Sequence, residues 1–567
     1  MMYNVHSDDR QRRVLIVGGG LVGLCASLFL SHQGVPSILA ERRPATSPQP
    51  KARRISIRTM ELFRQIGIDG PVTKAAAALA DFQRMSVGPT MAQAEPLPFR
   101  PPGGNPDWAG CSPVAACLCA QDLLEPVLRD LAAERGGDIR FGTEVLDTGQ
   151  DADGVTATLR GPGGELTRIR ADYLIGADGP RSPVRERLGI ARSGRGALHR
   201  VASVYFRADL SDLVRGREFN LCQIENPAAP GTFASINGTD RWIFTTAPCP
   251  GRGPDEWRSI TKAAIGRHDF HLSIDSVQEW ELGQLVADRL SQGRIFLAGD
   301  AAHVMPPFAA LGANTGIQDV HNLAWKLALV MGGRAGLELL DSYHAERHPA
   351  AWFAARQSLA RTPNLREMQT TSADGTPLAD PLALTLGFQY LAGAVIGDGS
   401  TADIHHLDLC GQPGTRLPHR WLPGRHRSTL DLAGRGMTLI IGRDGKAWAD
   451  AAAALSEPGL GVGQVDLAAW GAAVGTGNGG ALLARPDQVV AWRHRGPAAD
   501  PSAELSMALG RLLSQPTAAG YCCLPPAPPA LDESVRVASA GLVGGGGQAG
   551  STRLICRDSH LCTRHDQ

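Results

Sequence analysis

The chain has 567 residues, 56 of them basic and 56 acidic, for a formal net charge of zero. At roughly 100–200 residues per domain this means several domains, and the balanced charge argues against a nucleic-acid binder. No apolar run reaches the roughly 18–20 residues of a membrane span, no signal peptide is read in residues 1–13, and eleven mostly unpatterned cysteines make no disulfide framework, so a soluble cytoplasmic protein is expected.

The first element is a short apolar strand, Val14 to Val17, followed by the turn Gly18-Gly19-Gly20. A helix from Leu21 to Gln33 ends at Gly34, where a left-handed cap is expected. A second strand runs from Val35 to Ala40 and stops at Glu41. Residues 56–66 read as a helix, and 73–110, rich in Pro, Gly and Ala, as irregular. A helix over Gln121–Arg135 precedes strands within 139–175, with a hairpin near Gly161-Pro162-Gly163-Gly164. From about 195 to 285 the pattern is strand-rich and reads as an inserted sheet domain. Arg294 to Ala298 is a further strand, and after Gly312 a long helix keeps Ile317, Val320, Ala324, Leu327 and Met331 on one face. A separate segment from 412 to 525 alternates strands and helices, and the Pro- and Gly-rich residues 526–567 read as a disordered tail.

The glycine turn spells Gly18-x-Gly20-x-x-Gly23 between a strand and a helix. Such glycines let the backbone turn tightly and approach a pyrophosphate at the helix N-terminus. Glu41, 18 residues beyond Gly23 at the end of the next strand, is placed to accept from ribose hydroxyls. This predicts dinucleotide binding without choosing between NAD and FAD. Two later motifs choose. Asp178-Gly179 closes a strand ahead of Pro180-Arg181-Ser182, and Gly299-Asp300 closes another ahead of Pro306-Pro307 and Gly312-Ala313-Asn314-Thr315-Gly316. Asp300 is placed to hold a ribityl hydroxyl. The helix N-terminus at Gly312 would stabilise negative charge on a reduced flavin.

On these motifs the sequence resembles the group A flavoprotein monooxygenases, the aromatic hydroxylases with the para-hydroxybenzoate hydroxylase fold. Matching stretches include Glu41-Arg42, Arg58-Thr59-Met60-Glu61, Gln121-Asp122-Leu123-Leu124-Glu125, Asn322 to Leu327 and Tyr343 to Pro349, so that the likeness covers about 12–355. Pro413 to His419 and Arg485-Pro486-Asp487 further resemble the C-terminal thioredoxin-like domain of the larger members, among them the aromatic polyketide hydroxylases of antibiotic pathways. That domain lacks the Cys-x-x-Cys of dithiol chemistry, since only Cys410 lies between Cys249 and Cys522.

The resemblance implies an α/β protein with a Rossmann-type FAD-binding domain (12–194 and 286–400), an inserted β-sheet substrate domain (195–285) and a thioredoxin-like domain (412–525). It implies FAD at Gly18, Gly20, Leu21, Val22, Gly23, Glu41, Arg42, Arg53, Gln121, Asp178, Gly179, Asp300, Pro307, Gly312, Ala313 and Asn314. It also implies transient NADPH, with NADH open, and a small aromatic substrate that receives oxygen from O₂ through a flavin C4a-hydroperoxide. A homodimer is compatible with the family. Baeyer–Villiger insertion and antibiotic inactivation share these motifs, while an NAD-dependent dehydrogenase or a non-catalytic flavin protein are the readings from other classes. Two departures stand out. Lys51 replaces the usual arginine of Pro-Arg-Ala, leaving Arg53 or Arg54 as the flavin-side arginine, and Ala309-Ala310 replace paired glycines, which predicts a stiffer loop. The group that assists phenol ionisation is left open among Arg241, Trp242, His271 and Gln223 on the inserted sheet. The tail's Cys556, His560, Cys562 and His565 have no standard zinc spacing, and His344 and His348 read as packing, so no metal is expected.

Overall fold

The computed structural model describes residues 13–514, except 99–107 and positions 250, 362, 368, 369, 371, 425, 456, 458 and 468. The expected tail and its Cys/His cluster lie outside the described residues.

The flavin domain is organised by a six-stranded sheet. Its order is Ser291–Gln292, Ile295–Leu297, Tyr173–Gly176, Val14–Val17, Ser37–Glu41 and Asp138–Phe141, parallel except at the Ser291 edge. Val14–Val17 is central and wholly buried, which is why it reads as an unbroken apolar run. The helices Leu21–His32 and Leu311–Met331 pack together against this sheet in one apolar core. Gly299 and Gly316 sit where the two helix starts converge. A Cβ on Gly316 would lie 2.8 Å from Gly299 Cα, and one on either glycine would press into Val22.

The inserted sheet has eight strands, ordered His303–Val304, Ser273–Ala287, Arg192–Arg207, Arg241–Thr246, Gly231–Ser235, Phe219–Ile224, Arg84–Gly88 and Glu95–Leu97. The last two correct the expectation that 73–110 is irregular, and they carry the sheet beyond 195–285. Arg84–Gly88 pairs parallel with Phe219–Ile224, more than a hundred residues away. Five residues ending in glycine carry too little periodicity to announce a strand whose partner is so remote. One face of the sheet is a packed core of Val204, Phe206, Phe233, Trp242 and Phe244 under the helix Pro254–Ile265. Strand alternation turns Ser203, Tyr205, Thr232, Ile243 and Thr245 to the other face.

Residues after 411 form a four-stranded sheet, Gly461–Gln464, Thr438–Ile441, Ala481–Ala484 and Val490–His494, whose first pair is parallel and whose other pairs are antiparallel. With the helices Lys446–Leu455 and Pro501–Leu512 this is a thioredoxin-like arrangement. Leu439, Trp448, Leu483 and Trp492 join the flavin-domain core, so the two units share one apolar interior.

Buried ion pairs reinforce that junction. Glu61 takes Arg58 Nη1 at 3.0 Å and Arg416 Nε at 2.8 Å, all three side chains being almost wholly enclosed. Burial opposes the charge on Glu61, but the guanidiniums of Arg416 and Arg58 outweigh it and hold the carboxyl below its ordinary range. Arg58 also donates to Asp487 O and Gln488 Oε1 at 2.7 and 2.6 Å. Glu346 accepts from both terminal nitrogens of Arg485 and from Lys326 Nζ, each at 2.8 Å, and from Asn322 Nδ2 at 2.6 Å. Several family motifs therefore act as the clasp between domains.

Candidate active site

In open parallel sheets, ligands bind beyond the C-terminal ends of the strands. Here Gly18 follows Val17, Glu41 ends its strand, Asp178 lies two residues past Gly176, and Asp300 three past Leu297. The parallel register of these four strands brings the four residues to one edge.

The glycine turn is built for close approach. Gly18 has φ +108°, and a Cβ there would lie 2.3 Å from Ala177 O. A Cβ on Gly23 would lie 1.9 Å from Gly18 O, so the helix needs glycine to seat on the strand. Gly20 differs, because its Cβ would meet only Glu125 Oε1, at 3.6 Å, and otherwise project into open space. Glu41 ties the turn to the next strand by accepting from Gly19 N at 2.7 Å and Arg43 N at 2.9 Å. Leu21 is buried, Val22 packs on Gly299 and Gly316, and Arg42 is exposed at the rim.

Gln121 braces the 47–53 loop. Its N–H donates to Ala52 O, its Oε1 accepts from Ala52 N at 3.2 Å, and its Nε2 donates to Glu125 Oε1 at 2.6 Å. Asp178 braces the start of the helix Pro183–Arg187, whose N-cap is Ser182, accepting from Ser182 Oγ at 2.5 Å and Val184 N at 3.0 Å, while a Cβ on Gly179 would meet nothing within 4 Å. The carboxylate thus has the turn-forming role common at strand ends, and Gly179 carries the open side.

Asp319 supports the Asp300 loop. It accepts from Gly299 N at 3.1 Å and from Arg347 Nε at 2.9 Å, and its Oδ2 lies 2.7 Å from His303 Nε2. Neither Asp319 nor His303 stands out in the sequence. The available signal was a charged residue on the apolar side of a long helix.

The side chain of Asn314 is committed to the protein. Its Oδ1 accepts from Ser56 N and Thr59 Oγ1, and its Nδ2 donates to Arg54 O and Ala310 O. Those four bonds use its full amide capacity, so the side chain joins two helix starts and leaves only backbone for a ligand. The helix Leu311–Met331 has no side-chain N-cap, and the first N–H groups of a helix lack internal partners. Gly312 and Ala313 lie in that turn, half-buried, and Pro307 is exposed ahead of it.

Ala309 and Ala310 occupy the left-handed region, with φ +62° and +55°. The loop keeps a glycine conformation without glycine, at a cost of roughly 1–2 kcal/mol per residue. Ala310→Gly is therefore expected to raise stability by about 0.5–1 kcal/mol after the greater freedom of glycine in the unfolded chain is counted. Thermal unfolding checks this, and an unchanged or lower midpoint would contradict the strain.

The donor set fits FAD. Asp300 has no hydrogen-bond partner among the described residues and is open at its surface, yet surrounding protein raises its pKa, with His303 and Lys51 opposing. An acceptor both accessible and deep lies in an interior cleft and suits a hydroxyl donor. Gly20 leaves space beside Glu125, and the uncapped helix start has backbone N–H groups that would serve a bound flavin. Five of the side chains expected at the cofactor, those of Glu41, Arg53, Gln121, Asp178 and Asn314, are engaged by protein.

Sequence comparison agrees. Residues 11–358 match the FAD binding domain family, and 411–516 match the family described as aromatic-ring hydroxylase, C-terminal. The chain belongs to the FAD-dependent aromatic-ring hydroxylases. It is an FAD-dependent monooxygenase of mixed α/β fold. It is 42% identical to a tetracenomycin B2 monooxygenase-dioxygenase of Streptomyces olivaceus over 88% of this chain and 98% of that one. It is 37% identical to the aklavinone 12-hydroxylase RdmE of Streptomyces purpurascens over 90% and 100%. The crystal structure of an aklavinone-11 hydroxylase with FAD and aklavinone superposes with a TM-score of 0.79 at 35% identity, covering 90% of this chain and all of that one.

The sequence-level candidates on the inserted sheet fare unevenly in this hydroxylase. Trp242 lies on the far face, 1% exposed, with Nε1 donating to Ala208 O. Arg241 is paired with Asp122. His271 is exposed, and Gln223 holds the backbone N–H of Leu365 at 2.7 Å. His344 and His348 stack with ring centroids 4.7 Å apart, and no group of three metal-ligating side chains occurs among the described residues. No helix there is long and apolar enough to cross a membrane.

Proposed function

We propose that this hydroxylase adds oxygen to a polycyclic aromatic polyketide or a similarly bulky phenol, with FAD reduced by NADPH. The observation that carries this is the inner face of the inserted sheet. Between Tyr205, packed on the cluster of Ala120, Ile236 and Ile243, and Leu221, packed on that of Val87 and Leu365, the face crosses four strands. At about 4.8 Å per strand that is roughly 14 Å, enough for several fused rings. The face is hydroxyl-bearing, through Ser203, Tyr205, Thr232 and Thr245, with Trp280 Nε1 donating to Ser203 Oγ at 3.0 Å. The names of the relatives support the same substrate class.

Bound FAD supplies the reduction of O₂ and the transfer of one oxygen atom to the ring. The chain binds the dinucleotide at the sheet edge, positions the ring under the inserted sheet and excludes water between the two. The cofactor contacts expected at Gly18, Gly20, Glu41, Gly179, Asp300 and Gly312 belong to this reading, as does a homodimer. The free thiols of the described cysteines support a reducing compartment such as the cytoplasm.

The test is product mass after incubation of the protein with FAD, NADPH, air and a panel of anthrones, naphthacenones and simple phenols. Gain of an oxygen on a polycyclic member is the expected result. Oxygenation of simple phenols alone would reject the bulky substrate, and faster bleaching of the flavin by NADH than by NADPH would reject the reductant.

A further inference from the structure

We propose that Arg53 is the cation that binds the ionised phenol oxygen of the substrate, aimed into the cleft by a β-bulge at Asn220. This rests on the substrate class proposed above.

Arg53 lies at the end of the 47–53 loop, next to the short strand Arg54–Ile55. Its carbonyl accepts from Cys119 N at 2.7 Å, which fixes its backbone. Its guanidinium crosses to the sheet, where Nη2 donates to Asn220 O at 2.6 Å and to Asn220 Oδ1, and Nη1 donates to Ser235 O. Every one of these acceptors is neutral. No carboxylate pairs with Arg53 among the described residues. The side chain is only part-buried, yet protein surrounds it closely enough to lower its pKa to about 10. It stays charged at neutral pH. An enclosed guanidinium without a counter-ion is costly, and an anion in the cleft would complete it.

The bulge shows that the position is built. The pairing of Phe219–Ile224 with Arg84–Gly88 slips between Phe219 and Leu221. Phe219, Cys222 and Ile224 all join the core beneath Pro254–Ile265. Strict alternation back from Cys222 would put Asn220 in that core. The extra residue frees Asn220 to turn its amide to Arg53, as bulges beside active sites do.

The neighbouring charges leave Arg53 as the free cation. Asp122 on the helix Gln121–Glu134 and Arg241 on the sheet pair with each other. Arg54 lies toward Cys117, and Lys51 toward Asp300 and Glu125. Tyr205 keeps its proton, its pKa raised by burial against a hydrogen bond with Ser203. A phenol seated under Ile243 and Tyr205 would give its proton to water through the cleft and set its oxygen on Arg53. The ring, now electron-rich, is the form that electrophilic oxygen transfer needs.

The experiment uses the FAD-loaded full chain without NADPH and a hydroxyanthraquinone whose ionised form absorbs to the red. On the wild type the bound probe is expected to ionise at least about one pH unit below the free probe. Arg53→Gln should abolish that shift and raise Kd at pH 7 about tenfold or more. Arg53→Lys should keep part of it. Asn220→Asp guards against misfolding, because it preserves shape and hands Arg53 a carboxylate. It should lose the shift as Arg53→Gln does, with FAD content and Tm unchanged. Unshifted ionisation on the wild type, no binding of the probe, or full shift in both Arg53→Gln and Asn220→Asp overturns the proposal. If the wild type still oxygenates a polycyclic phenol in such a case, the proposed function stands without it. If no polycyclic phenol is oxygenated, both fall.

Discussion

Gly18→Ala is expected to yield protein without flavin, colourless near 450 nm, and with a lowered unfolding midpoint. The added Cβ would lie 2.3 Å from Ala177 O and 2.7 Å from Ala177 C, both backbone atoms at the end of a neighbouring strand. The φ of +108° adds strain for any L side chain. No rotamer relieves a backbone clash, so the turn must open and carry the helix start Leu21–His32 away from the strand edge. Gly20→Ala separates cofactor from fold. Its Cβ meets no protein atom nearer than 3.6 Å. The chain should keep its midpoint yet bind FAD more weakly by about tenfold or more, because a pyrophosphate needs the space the methyl takes. Flavin content and the FAD dissociation constant check both. Normal FAD binding by Gly20→Ala would remove the turn from the cofactor site.

Arg485→Met should destabilise the protein by about 3–5 kcal/mol, the usual consequence of removing one member of a buried ion pair. Arg485 holds Glu346 in a two-pronged contact and also pairs with Asp487, all three being enclosed. Burial alone would raise the carboxyl of Asp487, but Arg485 outweighs it and holds it at about 2. Because that folded-state pKa is depressed, its stabilisation is present above the ordinary carboxylate pKa and fades as pH falls toward 2. In the variant the orphaned carboxylates take up protons more readily, so the deficit should shrink between pH 7 and pH 4. Denaturant unfolding at both pH values checks this. A deficit that does not change with pH would assign the loss to packing instead.

These two positions mark where local reading succeeds and where it stops. The glycine turn, the strand-end Glu41 and Asp300, and the long helix after Gly312 were legible because strand ends, tight turns and helical periodicity are written in consecutive residues. Ala309-Ala310 were flagged from their loop, though their left-handed backbone was not foreseen. Arg58-Thr59-Met60-Glu61 was visible as a motif and opaque as a device, because Arg416 and Gln488, which complete it, lie more than 350 residues on. A hint was present, since Arg58 and Glu61 stand i,i+3 among Ile57, Met60, Leu62 and Phe63, a charged pair set between apolar neighbours.

The sequence alone pointed to a strand–glycine–helix turn of the dinucleotide-binding kind and, with the later Asp motifs, to FAD as the dinucleotide. Tertiary structure decided the rest. It recruited Arg84–Gly88 to the inserted sheet, committed the amide of Asn314 to joining two helix starts, and set Arg53 against Asn220. Each of these depends on a partner chosen by packing across a long stretch of chain, and no periodicity within either partner encodes that choice.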